Sequence, residues 1–164
     1  MSLLAEQTTV IACPAEVAYR FACDLERFGT WFPGVIAIAA ANDLPPLAVG
    51  KQYRETVAIP LRGTRKVTIT VTEVALNQRF VTEGTLAPLL PQMEIDVRAT
   101  GPGSCEVSWR MRSRSASRLV RWLLVPLARR VMQQRAAVGL AALKHTLERG
   151  GPPHDGQSQA GVDA

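Results

Sequence analysis

The sequence contains few residues of the kinds that bind metals or form disulfide bonds. Its three cysteines, Cys13, Cys23 and Cys105, follow no CxxC spacing. An odd number of widely spaced cysteines favours buried, reduced thiols in a cytoplasmic protein over a disulfide framework or a zinc site. The two histidines, His145 and His154, have no neighbouring ligand cluster. We therefore expect no zinc or iron site and no metal or redox cofactor.

Long apolar runs and catalytic motifs are also missing. No window of about 18 residues is uninterruptedly apolar, which argues against a membrane-spanning helix. The N-terminal sequence MSLLAEQTTV lacks the basic start and apolar centre of a secretory signal, so a cytoplasmic location is expected. There is no Ser-His-Asp or Cys-His arrangement and no glycine-rich phosphate loop. Nothing in the residues therefore demands catalysis.

Charge is distributed unevenly along the 164 residues, whose net charge is +5. Residues 110–149 contain ten of the 19 basic residues and a single acid, Glu148. A basic segment of this kind can meet phosphate groups in lipid headgroups or in nucleic acid. Nucleic acid is the weaker alternative, because aromatic residues make up 5% of the chain and no nucleic-acid-binding motif is present.

Alternation of apolar and polar residues predicts strands in the first two thirds of the chain. Residues 4–13 alternate loosely and end at Pro14, where the motif Pro14-Ala15-Glu16 begins a helix with the buried stripe Val17, Phe21 and Leu25. Gly29 ends this helix or leads into a short second turn over residues 30–32. The later strands are predicted at residues 35–41, 51–59, 66–74, 79–86, 92–99 and 105–112.

The hairpin formed by the last two strands has the clearest register. Placing Arg98 opposite Glu106 also places Glu94 opposite Arg110, so that two charge pairs share one face. The other face then pairs large apolar side chains, namely Met93 with Met111, Ile95 with Trp109 and Val97 with Val107. This arrangement predicts an antiparallel sheet with one solvated face and one face toward the core.

Residues 117–149 predict one long helix, because they are rich in helix formers and lack the alternation of a strand. At ~1.5 Å per residue the helix would be ~50 Å long. Its apolar stripe passes through Trp122, Val125, Ala136, Leu140, Leu143 and Leu147. We expect it to cover the apolar face of the sheet, with function located between the two. Residues 150–164 have little to bury and are predicted to form a disordered tail.

This order of elements resembles the START/SRPBCC superfamily, and most closely its polyketide cyclase/dehydrase-like branch. The segments that carry the resemblance are CPAEVAYRFACDLERFGTWFPGV, VGKQYRETV, VTITVTEV, GPGSCEVSWRM and AALKHTLE. The resemblance implies an α+β helix-grip fold over residues 1–149, in which a curved seven-stranded antiparallel sheet wraps around a long C-terminal helix, with two short helices after the first strand. It also implies a cavity for an apolar ligand. It does not fix the chemistry, because many members bind or carry ligands and only some catalyse reactions.

The candidate ligand-binding residues are the large side chains expected to face the space beneath the helix. They are Trp31, Phe32, Tyr53, Met93, Ile95, Trp109, Met111 and Trp122. The alternative is a solid core, which is the usual fate of apolar residues at this spacing. The resemblance favours a space that stays partly open.

Glu55 is the sharpest polar candidate, because alternation places it on the same strand face as Tyr53 and Ile59. A buried carboxylate needs a partner or a raised pKa, and such groups often mark functional sites. A bulge or sheet edge that lets Glu55 reach water is the alternative. Glu55 and Tyr53, with Arg79 or an arginine at the pocket mouth, are the one plausible acid/base set. The direction of Glu83 is left open.

Residues 117–128 are apolar on nearly every side of the predicted helix, and Pro126 predicts a kink or break near residues 122–125. Arginines flank this stretch at positions Arg112, Arg114, Arg118, Arg121, Arg129 and Arg130. Apolar residues among arginines can dock on an anionic membrane surface. The alternative is that the loop around Leu89 and Leu90, together with a partner subunit, covers the apolar surface, so a homodimer stays open.

Three hypotheses for function follow. The favoured one is a domain that binds an apolar or amphipathic small molecule, lipid-like or polyketide-like, in an internal cavity. The second is a cyclase/dehydratase-type enzyme that uses Glu55 as acid or base without a metal or redox cofactor. The third is a module that docks on a membrane or a partner through the start of the long helix.

Overall fold

The computed structural model describes residues 1–150, so the predicted tail lies, apart from Gly150, outside the described residues. The strands are β1 (Ser2–Ile11), β2 (Val35–Ala40), β3 (Gln52–Ile59), β4 (Gly63–Ala75), β5 (Arg79–Gly84), β6 (Pro91–Gly101) and β7 (Ser104–Ser113). The helices are α1 (Ala15–Ala22), a 3-10 helix (Leu25–Thr30) and α2 (Arg118–Gly150). The order of elements is the one predicted from the sequence.

The seven strands form one antiparallel sheet in the order β1-β7-β6-β5-β4-β3-β2. The register shifts within four of the strand pairs, for example between Val71 and Glu73 on β4. Such irregularities bend a strand and increase its twist, so they help the sheet to curve. The predicted α+β helix-grip fold, with a long C-terminal helix and two short helices after β1, is confirmed.

The predicted register of the β6–β7 hairpin is confirmed. Arg98 lies opposite Glu106, and Glu94 lies opposite Arg110. On the other face Met93 is paired with Met111, Ile95 with Trp109 and Val97 with Val107. The charged and the apolar residues therefore occupy opposite faces of the sheet, as alternation requires.

Helix α1 is shorter than the sequence pattern predicted, and it is rotated. It ends at Ala22, and its buried residues are Ala18, Tyr19 and Ala22. Of the expected stripe, Val17 and Phe21 are half-buried against the core, and Leu25 is buried in the 3-10 helix that follows. The chain then starts a separate 3-10 helix, because the side chain of Asp24 accepts a hydrogen bond from the backbone N–H of Glu26 at 3.2 Å. Tyr19 is buried because its hydroxyl group donates a hydrogen bond to a backbone carbonyl of β5.

Helix α2 runs alongside β1 and in the same direction. Arg129 Nε donates to the carbonyl of Leu3 at 2.8 Å, and Lys144 Nζ donates to the carbonyl of Val10 at 2.6 Å. The helix continues through Pro126 over 33 residues, so of the kink or break predicted near residues 122–125, the break was wrong. None of the helices in residues 1–150 combines the length and the apolar character needed to cross a membrane.

The two halves of α2 have different surroundings. In the C-terminal half Ala136, Gly139, Leu140, Leu143 and Leu147 are buried against the sheet and the 3-10 helix region. A Cβ atom at Gly139 would lie 2.9 Å from Cδ2 of Phe32, so glycine is needed for this close approach.

The N-terminal turns of α2 are buried on one side, at Val120 and Val125, and exposed on the other. Arg129 already contacts the carbonyl of Leu3, near the start of β1, and Trp122 lies about 10 Å further along the helix at ~1.5 Å per residue. Trp122 is 81% exposed. The prediction that Trp122 faces the space beneath the helix was wrong, because Trp122 lies on the exposed side of these turns.

Candidate functional site

A cavity of about 330 Å³ lies between the concave face of the sheet and helix α2. From the sheet its walls are formed by Leu4, Glu55, Val57, Val67, Ile69, Thr82, Gly84, Met93 and Met111. From α2 they are formed by Leu124, Leu127, Ala128, Val131, Met132 and Arg135. The volume is at the lower end of the ~300–1,000 Å³ typical of sites for small molecules. The C-terminal half of helix α2 therefore packs directly against the core, whereas residues 124–135 of the same helix cover a cavity.

Aromatic rings close the inner end of the cavity. Phe28 and Phe32 line it and stack on each other with ring centroids 4.9 Å apart. Trp109 packs behind Phe32 at 4.7 Å, and Trp31 meets Phe28 edge-on at 4.8 Å. Both tryptophans are buried in the solid core and are not part of the cavity wall.

Among residues 1–150, Glu55 is the one carboxylate that lines the cavity. It lies on β3 opposite Val67 of β4 and Ile38 of β2, and it is 8% exposed. Burial among apolar neighbours raises the pKa of Glu55 from 4.5 to about 7. No cation of the described residues offsets this effect, because burial is the sole cause of the shift. The bulge or sheet edge considered as an alternative therefore does not carry Glu55 into solvent.

Three arginines also line the cavity. Arg62 and Arg65, from the exposed β3–β4 hairpin, lie at its mouth, and the partly buried Arg135 belongs to α2. Arg135 Nη2 donates a hydrogen bond to the carbonyl of Ala58 at 3.1 Å, and partial burial lowers the pKa of its guanidinium. Gly34 makes room for this side chain, because a Cβ atom there would lie 2.4 Å from Cζ of Arg135. Arg135 thereby ties α2 to the far edge of the sheet.

The loop between β5 and β6 forms the remaining side of the mouth through residues 86–89. Ser113 Oγ donates a hydrogen bond to the carbonyl of Leu89 at 2.6 Å, and Arg114 Nη2 donates to the carbonyl of Gly84 at 3.1 Å. Arg114 also forms an ion pair of 2.9 Å with Glu83. Glu83 thus lies on the face of the sheet away from the cavity. The alternation of residues in the sequence had not decided this direction.

Four of the predicted ligand-binding residues line the cavity, namely Phe32, Glu55, Met93 and Met111. Trp31, Tyr53, Ile95 and Trp109 are buried but outside the cavity wall, and Trp122 is exposed. The expectation that these last five face an open space was wrong for each of them. Alternation along a strand gives the face of the sheet, but it does not show whether that part of the face lies beneath the cavity or the solid core.

Sequence reasoning did not select several residues of the wall. Val67 and Ile69 were placed on one face of their strand, yet nothing distinguished this face from an ordinary core. Arg135 carries no signal in the sequence, because an arginine of a long basic helix is normally solvated. Thr82 belongs to a strand whose inward face alternation could not decide.

The predicted acid/base set is not brought together. The hydroxyl group of Tyr53 donates to the carbonyl of Pro46 at 3.4 Å, and burial raises its pKa to about 12. Arg79 lies on the outer face of the sheet, where it pairs with Glu73 at 3.0 Å and Asp96 at 2.8 Å. Glu55 therefore remains the single acid/base candidate of the cavity.

A second buried carboxylate, Glu94, lies on the outer face of the sheet. Its side chain is 6% exposed and is surrounded by Arg110 at 2.9 Å, Arg79 at 3.3 Å and Arg112 at 3.5 Å. The sequence predicted a solvated charge pair here, and the three guanidinium groups instead cover the carboxylate. Within residues 1–150, no three Cys, His, Asp or Glu side chains come close enough together to hold a metal ion.

Comparison with protein families identifies the group to which the fold and cavity belong. A family model described as polyketide cyclase / dehydrase and lipid transport matches residues 3–148. The chain belongs to this family. Its predicted membership of the START/SRPBCC superfamily is thereby confirmed. No curated protein sequence matches the chain.

Several solved structures share the fold of this family member. A START superfamily protein from Mycobacterium smegmatis has a TM-score of 0.70 and 16% identity, over 89% of this chain and 99% of the other. An aromatase/cyclase from Streptomyces sp. R1128 has a TM-score of 0.66 and 15% identity, over 93% and 98%. A protein from Deinococcus radiodurans has a TM-score of 0.65 and 20% identity, over 88% and 96%. At these identities the likeness shows the helix-grip fold alone.

Proposed function

We propose that this chain binds an apolar or amphipathic small molecule, lipid-like or polyketide-like, in the cavity beneath α2. The observation that carries the proposal is a cavity of about 330 Å³ whose wall is mostly apolar and contains one buried carboxylate without a partner. Covering each 100 Å² of apolar ligand surface would contribute about 2.5 kcal/mol to binding. Membership of a family described by both cyclisation and lipid transport supports this class of ligand.

Glu55 would orient the ligand. With a pKa of about 7 the carboxyl group is present in both protonation states near neutral pH, so it can donate or accept one hydrogen bond. A hydroxyl, carbonyl or amine group on the ligand would satisfy it. Arg62 and Arg65 at the mouth offer positive charge to a polar end that remains near solvent.

Binding of the neutral fluorophore N-phenyl-1-naphthylamine tests the proposal. The probe should become fluorescent in the apolar cavity, and the larger side chain of Val57→Phe should weaken its binding at least tenfold by filling the wall. Thr56→Phe is the matched control, because Thr56 is the neighbouring residue of β3 and its side chain points away from the cavity. Equal binding by the two variants, or no binding by the wild type, would contradict the proposal.

The pKa of Glu55 favours a second candidate, a cyclase/dehydrase-type enzyme. A general acid or base works best when its pKa lies near the working pH, and Glu55 meets this condition. An aromatase/cyclase is among the proteins with the same fold. In a dehydration, the Glu55 carboxylate would remove a proton from the carbon next to a ketone. The resulting carboxylic acid would protonate the β-hydroxyl group, which leaves as water.

A synthetic 4-aryl-4-hydroxybutan-2-one would test this second candidate, because loss of water gives a conjugated enone that absorbs in the ultraviolet. Turnover by the wild type should fall by about 10²-fold or more in Glu55→Gln, in line with the loss of a general acid/base. Binding of the naphthylamine probe should be nearly unchanged in the same variant. A Glu55→Gln protein that retains turnover would exclude Glu55 as the acid or base.

A further inference from the structure

The mouth of the cavity is surrounded by three segments that form one surface, which we call the rim. The rim consists of residues 60–65 of the β3–β4 hairpin, residues 86–89 of the β5–β6 loop and residues 118–131 of α2. Pro60, Leu89, Leu124 and Leu127, from all three segments, line the same cavity. The rim is therefore continuous with the cavity.

Large apolar side chains of the rim are exposed to solvent. Leu61 at the hairpin tip is fully exposed, and Trp122 is 81% exposed. Leu119, Leu123 and Leu127 of α2 are each more than 60% exposed. The β5–β6 loop does not cover them, although the sequence allowed this alternative. A cluster of exposed leucines and a tryptophan beside a cavity mouth is typical of surfaces that bind a membrane or another protein.

The charge of the rim has one sign. Its six arginines are Arg62, Arg65, Arg118, Arg121, Arg129 and Arg130, and it contains no acidic residue. No carboxylate among the described residues forms an ion pair with any of them, whereas Arg79, Arg98, Arg110 and Arg114 elsewhere are paired. The rim thus combines exposed apolar side chains with uncompensated positive charge, which is the composition that anionic lipid surfaces attract.

A second copy of the chain fits this surface less well. In a symmetric dimer the same patch of each subunit meets its partner, so the six arginines of one rim would face the six of the other. Such like-charge contacts oppose association. An anionic bilayer supplies opposite charge for the arginines and an apolar layer for the leucines at the same time.

We propose that the rim docks on an anionic membrane surface, with the mouth of the cavity toward the lipid. In this orientation Trp122 lies at the level of the headgroups, where tryptophan side chains are enriched. Arg118, Arg121 and Arg130 contact lipid phosphates on either side of it. The proposal depends on the rim alone and holds whatever the cavity contains.

Vesicle flotation tests the charge requirement. The protein should float with vesicles of phosphatidylcholine containing 30% phosphatidylglycerol, and at least tenfold less with pure phosphatidylcholine. The triple variant Arg118→Gln/Arg121→Gln/Arg130→Gln should lose at least tenfold in apparent affinity for the anionic vesicles. A control with the same net charge is Arg20→Gln/Arg54→Gln/Arg149→Gln, which removes exposed arginines outside the rim and should stay within twofold of the wild type.

Trp122 provides a spectroscopic test of the docked orientation. The chain has three tryptophans, and the other two, Trp31 and Trp109, are buried. Anionic vesicles should therefore shift the emission to shorter wavelength through Trp122 alone, and bromine atoms on the lipid acyl chains should quench it. The Trp122→Phe variant should float but show neither change.

Three results would overturn the proposal: no binding to either vesicle, equal binding to both, or equal loss in the rim variant and its control. Sedimentation without lipid that shows a dimer with a buried, blue-shifted Trp122 would assign the rim to a second copy instead. The Val57→Phe variant separates docking from ligand binding, since it should lose the naphthylamine probe and still float. Loss of flotation in Val57→Phe would contradict docking through the rim.

Discussion

Glu55 and Glu94 are both buried carboxylates of the same sheet, yet they lie on opposite faces in opposite surroundings. On the outer face, three arginines lie within 2.9–3.5 Å of Glu94. On the concave face, Glu55 lines a cavity and has no cation near enough to offset its burial. Charged groups are costly to bury unless they are paired. The three arginines therefore explain how the fold accommodates the buried charge of Glu94. The burial of Glu55 has no such compensation within the fold and needs a functional explanation.

The largest expected effect is the pH dependence that Glu55 gives to stability. Its pKa is about 7 in the folded protein against 4.5 when solvated, so folding favours the protonated form. At about 1.4 kcal/mol per pH unit, this difference corresponds to about 3 kcal/mol. The contribution of Glu55 to stability is fully present below pH 4.5 and is lost as the pH rises through 7.

Urea unfolding of the wild type and Glu55→Gln should reveal this loss. The variant should be more stable than the wild type by about 3 kcal/mol at pH 8, and about equally stable at pH 4, since the neutral amide resembles the protonated acid. A difference that does not change with pH would show that Glu55 is solvated or paired, and the contrast with Glu94 would disappear.

The second effect has the opposite sign. Glu94→Gln removes the negative charge that three arginines share, and breaking a buried ion pair costs about 3–5 kcal/mol when all partners are buried. Because these arginines are partly exposed, solvent reduces the cost, and we expect a loss of about 2 kcal/mol at pH 7. Urea unfolding measures it directly.

Glu106→Gln is the control for Glu94→Gln. Glu106 pairs with Arg98 at 3.0 Å, but the arginine side chain is 69% exposed. Exposed pairs of this kind contribute about 0–1 kcal/mol, so this variant should lose little stability. Equal losses in the two variants would mean that the outer cluster is an ordinary solvated surface.

The third and smallest effect comes from giving Glu55 a partner. Val67 lies directly opposite Glu55 on β4, and cross-strand neighbours have Cβ atoms about 5 Å apart. In Val67→Lys a nearby ammonium group should lower the pKa of Glu55 by about 1 unit or more, as measured by carbon-13 NMR of the carboxyl group.

Thr70→Lys is the matched control for Val67→Lys, because Thr70 is on the same strand but outside the cavity wall. It should leave the titration of Glu55 unchanged. If both lysines lower the pKa equally, the pKa of Glu55 does not depend on which face of the sheet carries the cation, and the two carboxylates differ less than their burial indicates.

The comparison also shows which features the sequence could predict. Alternation and charge pairing predicted the β6–β7 register, because both signals point to a single alignment of Glu94 with Arg110. They could not predict that Glu94 is buried, since its cover comes from side chains on other strands. Alternation placed Glu55 and Tyr53 on one face, but only Glu55 reaches the cavity, which depends on how far each lies from the packed aromatic rings.

Helix α2 illustrates the same limit. Its periodicity predicted the buried residues Leu140, Leu143 and Leu147, because they lie where the helix accompanies β1. The same periodicity included Trp122, which lies on the exposed side of the N-terminal turns, whereas Val120 and Val125 of the same turns are buried. A helical repeat predicts the direction in which a side chain points around the helix axis. Whether another part of the chain covers that direction at a given turn depends on the assembled fold. The cytoplasmic location and a homodimer stay predictions of the sequence.

Titration of the Glu55 carboxyl group, with and without N-phenyl-1-naphthylamine, tests most directly whether this carboxylate faces a ligand cavity. Carbon-13 NMR of the free protein should give a pKa of about 7. Bound probe should raise the pKa further, because it displaces water from the cavity and leaves the charged form less solvated. A pKa near 4.5 that the probe does not change would contradict the account.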